Sequence, residues 1–366
     1  MRTDYKLKYY KESKERIDIN NYSYFVLAGD IGGTNTNFGV FGIKVKDEEP
    51  ILVFSTHFKT QELNSIIPAV NKTLEYAQKN HGIEINDACF GAAGAVSSNH
   101  EFCKLTNAGW SISSEEILKK TPLNSIFIIN DFEAVGYGIN LLDINNEKDI
   151  FKVRHKPEVN EGLLKATKAV IGAGTGLGKS MLIYQENYKA YVPIPSEGGH
   201  GDFPVQNEFE IKLLDFIKKH RKIKKPLSYE EVISGRGIEA IYLFLRNSKK
   251  FKETKYTKEI NESKDKVASI SKYKNIDETC RETFRLCAKF YARCAKNFVL
   301  DSLARGGLYM AGGIASKNKE IFKTRDFIDE FENVNKQSKI LKEVPIYVIV
   351  NYNVGLYGAA FAAIKK

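Results

Sequence analysis

The chain has 366 residues, 43% apolar and 11% aromatic, which is room and material for two buried cores. Its formal net charge is +10, but the lysines are scattered and interleaved with glutamates. That pattern points to a solvated surface that attracts small anions, and away from a nucleic-acid groove. The opening residues 1–23 are charged where a signal peptide is apolar, and no apolar run approaches the roughly 20 residues of a membrane helix. The expectation is a soluble, cytoplasmic chain with no nucleic-acid or membrane partner.

Residues 1–23 read as a polar extension, partly helical or disordered. The run Tyr24-Phe25-Val26-Leu27-Ala28 then arrives at Gly29-Asp30-Ile31, turns through Gly32-Gly33, and leaves by Thr34-Asn35. Glycines let backbone approach a ligand closely, and successive amides in such a turn make an anion-binding concavity. Neither familiar phosphate motif fits. The residues lack G-x-x-x-x-G-K-[ST], and the alternating stretch Asn37–Ile43 continues as a strand where a dinucleotide fingerprint opens a helix. Residues 24–45 are therefore a strand–turn–strand hairpin.

Beyond it, Leu63, Ile66, Ile67, Val70, Leu74 and Ala77 form a helical stripe over residues 61–80. Asp87–Phe90 starts a strand that enters the glycine-rich loop 91–94. Ser113 with Glu116 reads as a capping box for a helix through Lys119. Ser125–Ile129 is a continuous apolar strand, followed by Asn130-Asp131 and a helical run to Leu141. Strands alternating with helices predict an α/β sheet with parallel members.

The hairpin theme returns at residues 168–184, where an apolar strand meets Gly172-Ala173-Gly174-Thr175-Gly176-Leu177-Gly178. This is no P-loop, because the first required glycine is Ala173. Two glycine-dense hairpins suggest two related domains that clasp one phosphate chain. Residues 195–204, PSEGGHGDFP, set Glu197 and His200 around two glycines, a pairing suited to sugar hydroxyls. Zinc would need further ligands at short spacing, and none of the cysteines supplies them. Glu230 precedes Val232-Ile233-Ser234-Gly235. Residues 253–276 are rich in Lys, Glu and Ser without apolar periodicity, and read as an exposed loop or insertion. A long helix over 277–304 stacks Cys280, Cys287 and Cys294 on one face, as core residues in a reducing compartment. Then come a strand with a glycine exit at 307–314, a strand at 345–350 and a helix from Val354 to Ile364.

Asn130-Asp131 closes a buried parallel strand, at the end where open α/β sheets place their ligand. An aspartate there can take a proton from a hydroxyl while the asparagine orients the substrate; a helix N-cap is the alternative use. Taken in order, Asp30–Asn35, Asn130-Asp131, Gly172–Gly178, Pro195–His200, Ile233–Gly237 and Ala311–Ile314 resemble the glucokinases of bacterial type. These are the hexokinase branch of the actin-like ATPase superfamily, and the resemblance spans residues 24–366.

That resemblance implies a two-domain actin-like ATPase (ribonuclease H-like) fold with its active site in the interdomain cleft. It assigns residues 24–140 plus 350–366 to a small domain and 141–349 to a large one. It also implies ATP-dependent phosphorylation of glucose at the 6-hydroxyl, with Asp131 as general base. Asn107, Asn130, Glu197, His200 and Glu230 resemble the family's sugar ligands. Gly29, Asp30, Ile31, Gly32, Gly33, Thr34 and Asn35 resemble the first phosphate loop, with Asp30 addressing Mg²⁺ through water. Gly174, Thr175 and Gly176 resemble the second phosphate loop, and Gly312-Gly313 the adenosine motif. The cysteine-rich zinc motif of the related repressor-and-kinase family is missing after His200, so no zinc is expected. Ala95 stands where many relatives have proline, which predicts a less rigid loop. The competing readings are a kinase for mannose or N-acetylglucosamine, and an actin-like ATPase without a sugar substrate. Oligomeric state is not readable here, although homodimers are common in such families.

Overall fold

The computed structural model describes residues 8–10, 18–44, 49–106, 108–154 and 165–365. The chain divides into two compact units, one formed by residues 1–143, 184–195 and 351–366, the other by residues 144–183 and 196–350.

The first unit is built on a six-stranded sheet. Its order is Lys8–Tyr10, Ile51–Lys59, Asn35–Ile43, Tyr24–Ile31, Asp87–Ala92 and Ser125–Asn130. The predicted hairpin is present, paired from Tyr24↔Ile43 to Ile31↔Thr36. Strands Tyr24–Ile31, Asp87–Ala92 and Ser125–Asn130 run parallel. Both faces of the sheet are covered, so its central strands are buried in near-continuous runs, four residues in a row within Tyr24–Ile31 and six within Asn35–Ile43. Leu27, Ile31 and Phe38 pack with Val70 and Leu74 of helix Ile67–His81. Val26, Ala28 and Ile129 pack with Leu356 and Ala359 of helix Val354–Lys365. That first helix starts later than the apolar stripe predicts. Thr60–Glu62 takes a 3-10 turn and Pro68 lies in the first helical turn, so Leu63 and Ile66 are buried ahead of the helix.

Two expectations for this unit change. Lys8–Tyr10, within the polar extension, form a strand paired with Ser55–His57. Two tyrosines are good strand formers, and the edge of Ile51–Lys59 offers unpaired backbone groups. Ala95, expected in a loosened loop, lies in strand Gly94–Val96, paired with Phe102–Leu105.

The second unit repeats the design. Lys168–Ala173 and Leu177–Gln185 form a hairpin from Lys168↔Leu182 to Ala173↔Leu177. Leu308–Ala311 lies parallel to Lys168–Ala173, and Ile346–Ile349 parallel to Leu308–Ala311. The 25-residue helix Glu278–Ser302 buries Cys280, Cys287 and Cys294 as predicted. Burial pushes all three thiols up, which makes them poor nucleophiles. The same helix carries Arg293, fully buried between Glu210 at 2.7 Å and Glu330 at 2.8 Å.

Residues 253–276 are not an exposed loop. They form helices Lys255–Glu262 and Lys266–Tyr273, each opened by a side-chain cap from Thr254 or Asp265. Ile260 and Ile270 are fully buried. The helices are only two turns long, too short for a periodic stripe to stand out against the lysines around it.

Candidate active site

In the first unit the hairpin turn is braced from outside. Gly32 N–H donates to the Asn35 carbonyl at 2.9 Å, closing the turn. Thr60 then grips both limbs, its hydroxyl donating to the Gly32 carbonyl at 2.7 Å and its N–H to the Thr34 carbonyl at 3.0 Å. Thr34 and Asn35 at the tip stay exposed. Thr60 is 26 residues beyond Thr34 and carries no motif, so its role is invisible until Asn35↔Lys59 pairing brings it alongside.

Asp30 sits one strand-step before the turn, opposite Asn37, which in turn lies opposite His57. Asn37 hydrogen-bonds the Asp30 carboxylate, and its own Oδ1 lies 2.6 Å from His57 Nδ1. Burial pushes the Asp30 carboxyl from 3.8 up to about 6, with the Asn37 hydrogen bond opposing the rise. Among the described residues no lysine or arginine forms an ion pair with Asp30. A half-buried carboxylate without a protein cation fits a hard divalent ion that keeps most of its waters and shares phosphate oxygens.

Asn130 and Asp131 lie at the same end of this sheet. Parallel pairing aligns Ile31 with Ala92 and Ala92 with Asn130. Asn130 is the N-cap of helix Asp131–Gly138, accepting from Phe132 N–H at 2.8 Å, and Glu133 reaches back to complete a capping box. The cap uses Oδ1, and Nδ2 donates one proton to the Gly94 carbonyl at 3.4 Å, so the structure shows the cap use of Asn130 directly. Gly91 has no room for a side chain: a Cβ would stand 2.7 Å from Ala134 Cβ and 3.8 Å from Asp131 Cα. That glycine lets the helix bring Asp131 down onto the strand ends. Asn107 lies outside the described residues. Its neighbour Trp110 is half-buried against the core.

In the second unit the predicted motifs form one connected patch. The turn closes with Gly174 N–H donating to the Gly176 carbonyl at 2.9 Å, leaving Thr175 exposed. Gly312 takes a left-handed φ of +86°, and a Cβ there would lie 2.6 Å from the Ala173 carbonyl oxygen, so Gly312-Gly313 abuts the turn. On the other side Gly198–His200 form a short 3-10 turn in which Gly199 packs on Leu177 so closely that a Cβ would overlap its carbonyl. Glu197 and His200 project from it, largely exposed, with Oε2 and Nε2 3.7 Å apart. Glu230 enters through the pairing of Tyr229 N–H with the Gly201 carbonyl at 2.9 Å. Its carboxylate turns to the glycine turn 174–176, where Oε2 accepts Leu177 N–H at 3.0 Å. Sequence reasoning missed Arg236, whose guanidinium donates to Glu230 Oε1 at 3.1 Å.

Each unit thus ends an antiparallel hairpin in an exposed glycine turn beside parallel strands. One presents two acids at its strand ends and the other sets Glu197 and His200 in a glycine turn. Two such hairpin-bearing α/β units follow the plan of the actin-like ATPase fold. A structure of glucokinase from an Antarctic psychrotroph matches at TM-score 0.74 and 25% identity, over 93% of this chain and 99% of that one. A ROK family glucokinase from Streptomyces griseus, solved with glucose and AMPPNP, shares the fold at TM-score 0.62 and 16% identity, over 93% of this chain and 100% of that one. In sequence, the chain is 35% identical to the glucokinase of Nostoc sp. over 93% of its own length and 99% of the relative's. The glucokinase family model matches residues 27–366, and the chain belongs to the glucokinase family. Its reaction is the ATP-dependent phosphorylation of glucose. No helix among the described residues is long and apolar enough to cross a membrane.

Proposed function

We propose that Asp131 is the general base of this reaction and that the phosphoryl acceptor is the 6-hydroxyl of glucose. The observation that carries the reading is the alignment of Ile31, Ala92 and Asn130, which sets Asp30 and Asp131 at one end of the three parallel strands of one sheet. Asp131 accepts the proton of the attacking hydroxyl as its oxygen bonds the terminal phosphorus of ATP and the bridging P–O bond breaks to release ADP, a step that asks for position more than for a raised pKa. Asn130, Glu197, His200 and Glu230 hold the remaining sugar hydroxyls, joined by Asn107. A carboxylate and an imidazole offer acceptors and a donor to neighbouring hydroxyls, which suits a neutral polyol.

The glycine turns 29–35 and 174–176 present backbone amides to the phosphate chain, and Gly312-Gly313 takes the adenosine. Asp30 would hold Mg²⁺ through water. Bound there, the ion supplies neutralisation and alignment of the phosphate oxygens. No zinc is called for by this donor set, and the protein works in the cytoplasm.

Calorimetric titration separates the roles. Glu197→Gln and His200→Ala should each weaken glucose binding by about 1–3 kcal/mol, the usual cost of losing one partner of a desolvated polar contact. Nucleotide affinity without sugar should stay near that of the wild type, whereas Thr175→Val should weaken nucleotide and spare glucose. Equal losses of ATP affinity in all three variants would contradict the division.

A further inference from the structure

Phosphoryl transfer needs positive charge at the transferred phosphate, yet neither glycine turn contains a lysine or arginine. Lys179, the cation next in sequence after the second turn, is only 5% exposed. Its Nζ is enclosed by the rings of Tyr229 at 4.8 Å and Phe298 at 5.1 Å. In the second unit the exposed cation tied to the phosphate turn is Arg236.

Four observations set Arg236 apart. Its side chain is 56% exposed while that of its partner Glu230 is 14% exposed. It lies in the first turn of the 13-residue helix Gly235–Asn247, where the helix dipole disfavours a cation and the turn itself holds no acidic residue, so its counter-charge comes from Glu230 outside the helix. The start of that helix is docked on the phosphate turn, with Gly235 N–H donating to the Gly174 carbonyl at 2.9 Å. Beside it the Ser234 hydroxyl is fully buried and lacks a hydrogen-bond partner among the described residues. A residue placed against its local preference, at a site otherwise well packed, marks function.

We propose that Arg236 is the cation that contacts the terminal phosphate of ATP, and that Glu230 holds it back until sugar binds. The inference rests on the reading of Glu230 as a sugar ligand. Glu230 has two oxygens and two occupants: Oε2 takes Leu177 N–H of the turn, and Oε1 takes Arg236. A sugar hydroxyl that donates to Oε1 displaces the guanidinium and leaves Oε2 on the turn. The freed arginine, with five donors and a fixed charge, then turns to the phosphate presented at Gly174–Gly176. Sugar and nucleotide become coupled through one carboxylate. Without sugar the cation stays occupied and ATP lacks its electrostatic partner, which suppresses wasteful hydrolysis.

The test is calorimetric binding of the magnesium complex of AMPPNP, and separately of ADP, with and without saturating glucose. In the wild type glucose should tighten AMPPNP by about 5–50-fold, the ordinary range of allosteric coupling. In Arg236→Gln that ratio should fall to within about two-fold of unity, with sugar-saturated AMPPNP affinity reduced about 10–100-fold, as for loss of a charged hydrogen bond. ADP, which lacks the terminal phosphate, should change by less than about two-fold. Glucose alone should bind Arg236→Gln at least as tightly as wild type, because Glu230 has lost its competitor. Arg236→Lys should recover part of the coupling. Lys59→Ala should keep all of it, although the Lys59 amine reaches Asn35 of the first turn at 2.8 Å. Undiminished coupling in Arg236→Gln, an equal loss for ADP, or no recovery with lysine would each overturn the proposal. A Glu230→Gln variant with unchanged glucose affinity would instead remove Glu230 from the sugar site, a failure that the Arg236 variants do not produce.

Discussion

Asp30 is held where its charge is costly. Its carboxyl rises from 3.8 to about 6 because burial disfavours the ionised form, and the neutral Asn37 offsets only part of that. The sign of the effect on stability follows. Below the unfolded value both states carry the proton and Asp30 contributes nothing. As pH climbs toward about 6 the unfolded chain ionises first, so folding weakens through that window and then levels off. Asp30→Asn removes the penalty. Without divalent ions, the variant should exceed wild type in stability by on the order of 1–3 kcal/mol near pH 7.5, and the gap should close near pH 4. Urea midpoints at the two pH values check this, and a gap of the same size at both would contradict it. The acid itself is legible in the sequence, because a charge at the end of an apolar run needs a reason. Its surroundings are not. Asn37 is the partner of Asp30 within the hairpin, but His57 and Thr60 come from the next strand and beyond it, and a cross-strand neighbour more than 20 residues away leaves no local pattern.

Helix Asp131–Gly138 is positioned by glycines on both sides. Gly91 yields space on the strand beneath, and Gly138 and Gly358 let helix Val354–Lys365 approach until backbone meets backbone. A Cβ at Gly358 would overlap the Ala134 carbonyl, and one at Gly138 would overlap that of Val354. Gly358→Ala must therefore push the two helices apart or tilt the one that starts with Asp131. The expected result is a loss of about 1–3 kcal/mol in stability, as for an overpacked core, with glucose turnover falling further than glucose affinity. Thermal unfolding and steady-state kinetics measure both, and full activity at wild-type stability would count against the packing account. The hairpins, the 25-residue helix and its cysteine face could be read ahead of the structure because each is long and strongly periodic. Lys255–Glu262, Lys266–Tyr273 and Lys8–Tyr10 could not. Their short apolar patterns are set among lysines, and tertiary neighbours decide them.

Across the chain the two units spend the same hairpin on different tasks. The first sets acids beside its glycine turn. The second joins its turn to Gly312 on one side and to Gly199 and Glu230 on the other. Neither glycine turn holds a lysine of P-loop type; on the proposed reading, phosphate charge is met by backbone amides, by the ion that Asp30 would hold and by Arg236. The order of motifs along the chain made this division readable, since Asn130-Asp131 and Glu197–His200 are each ambiguous alone. What order could not convey was that Glu230 faces the phosphate turn through Leu177, a contact made 53 residues away in sequence. The account as a whole depends on a carboxylate at the end of strand Ser125–Asn130 taking the sugar's proton. Glucose 6-phosphate formation by Asp131→Asn, measured with glucose affinity on the same preparation, tests that directly. The variant should lose about 10²–10⁴-fold in kcat while binding glucose within a few-fold of wild type. Turnover within a few-fold of wild type would contradict it.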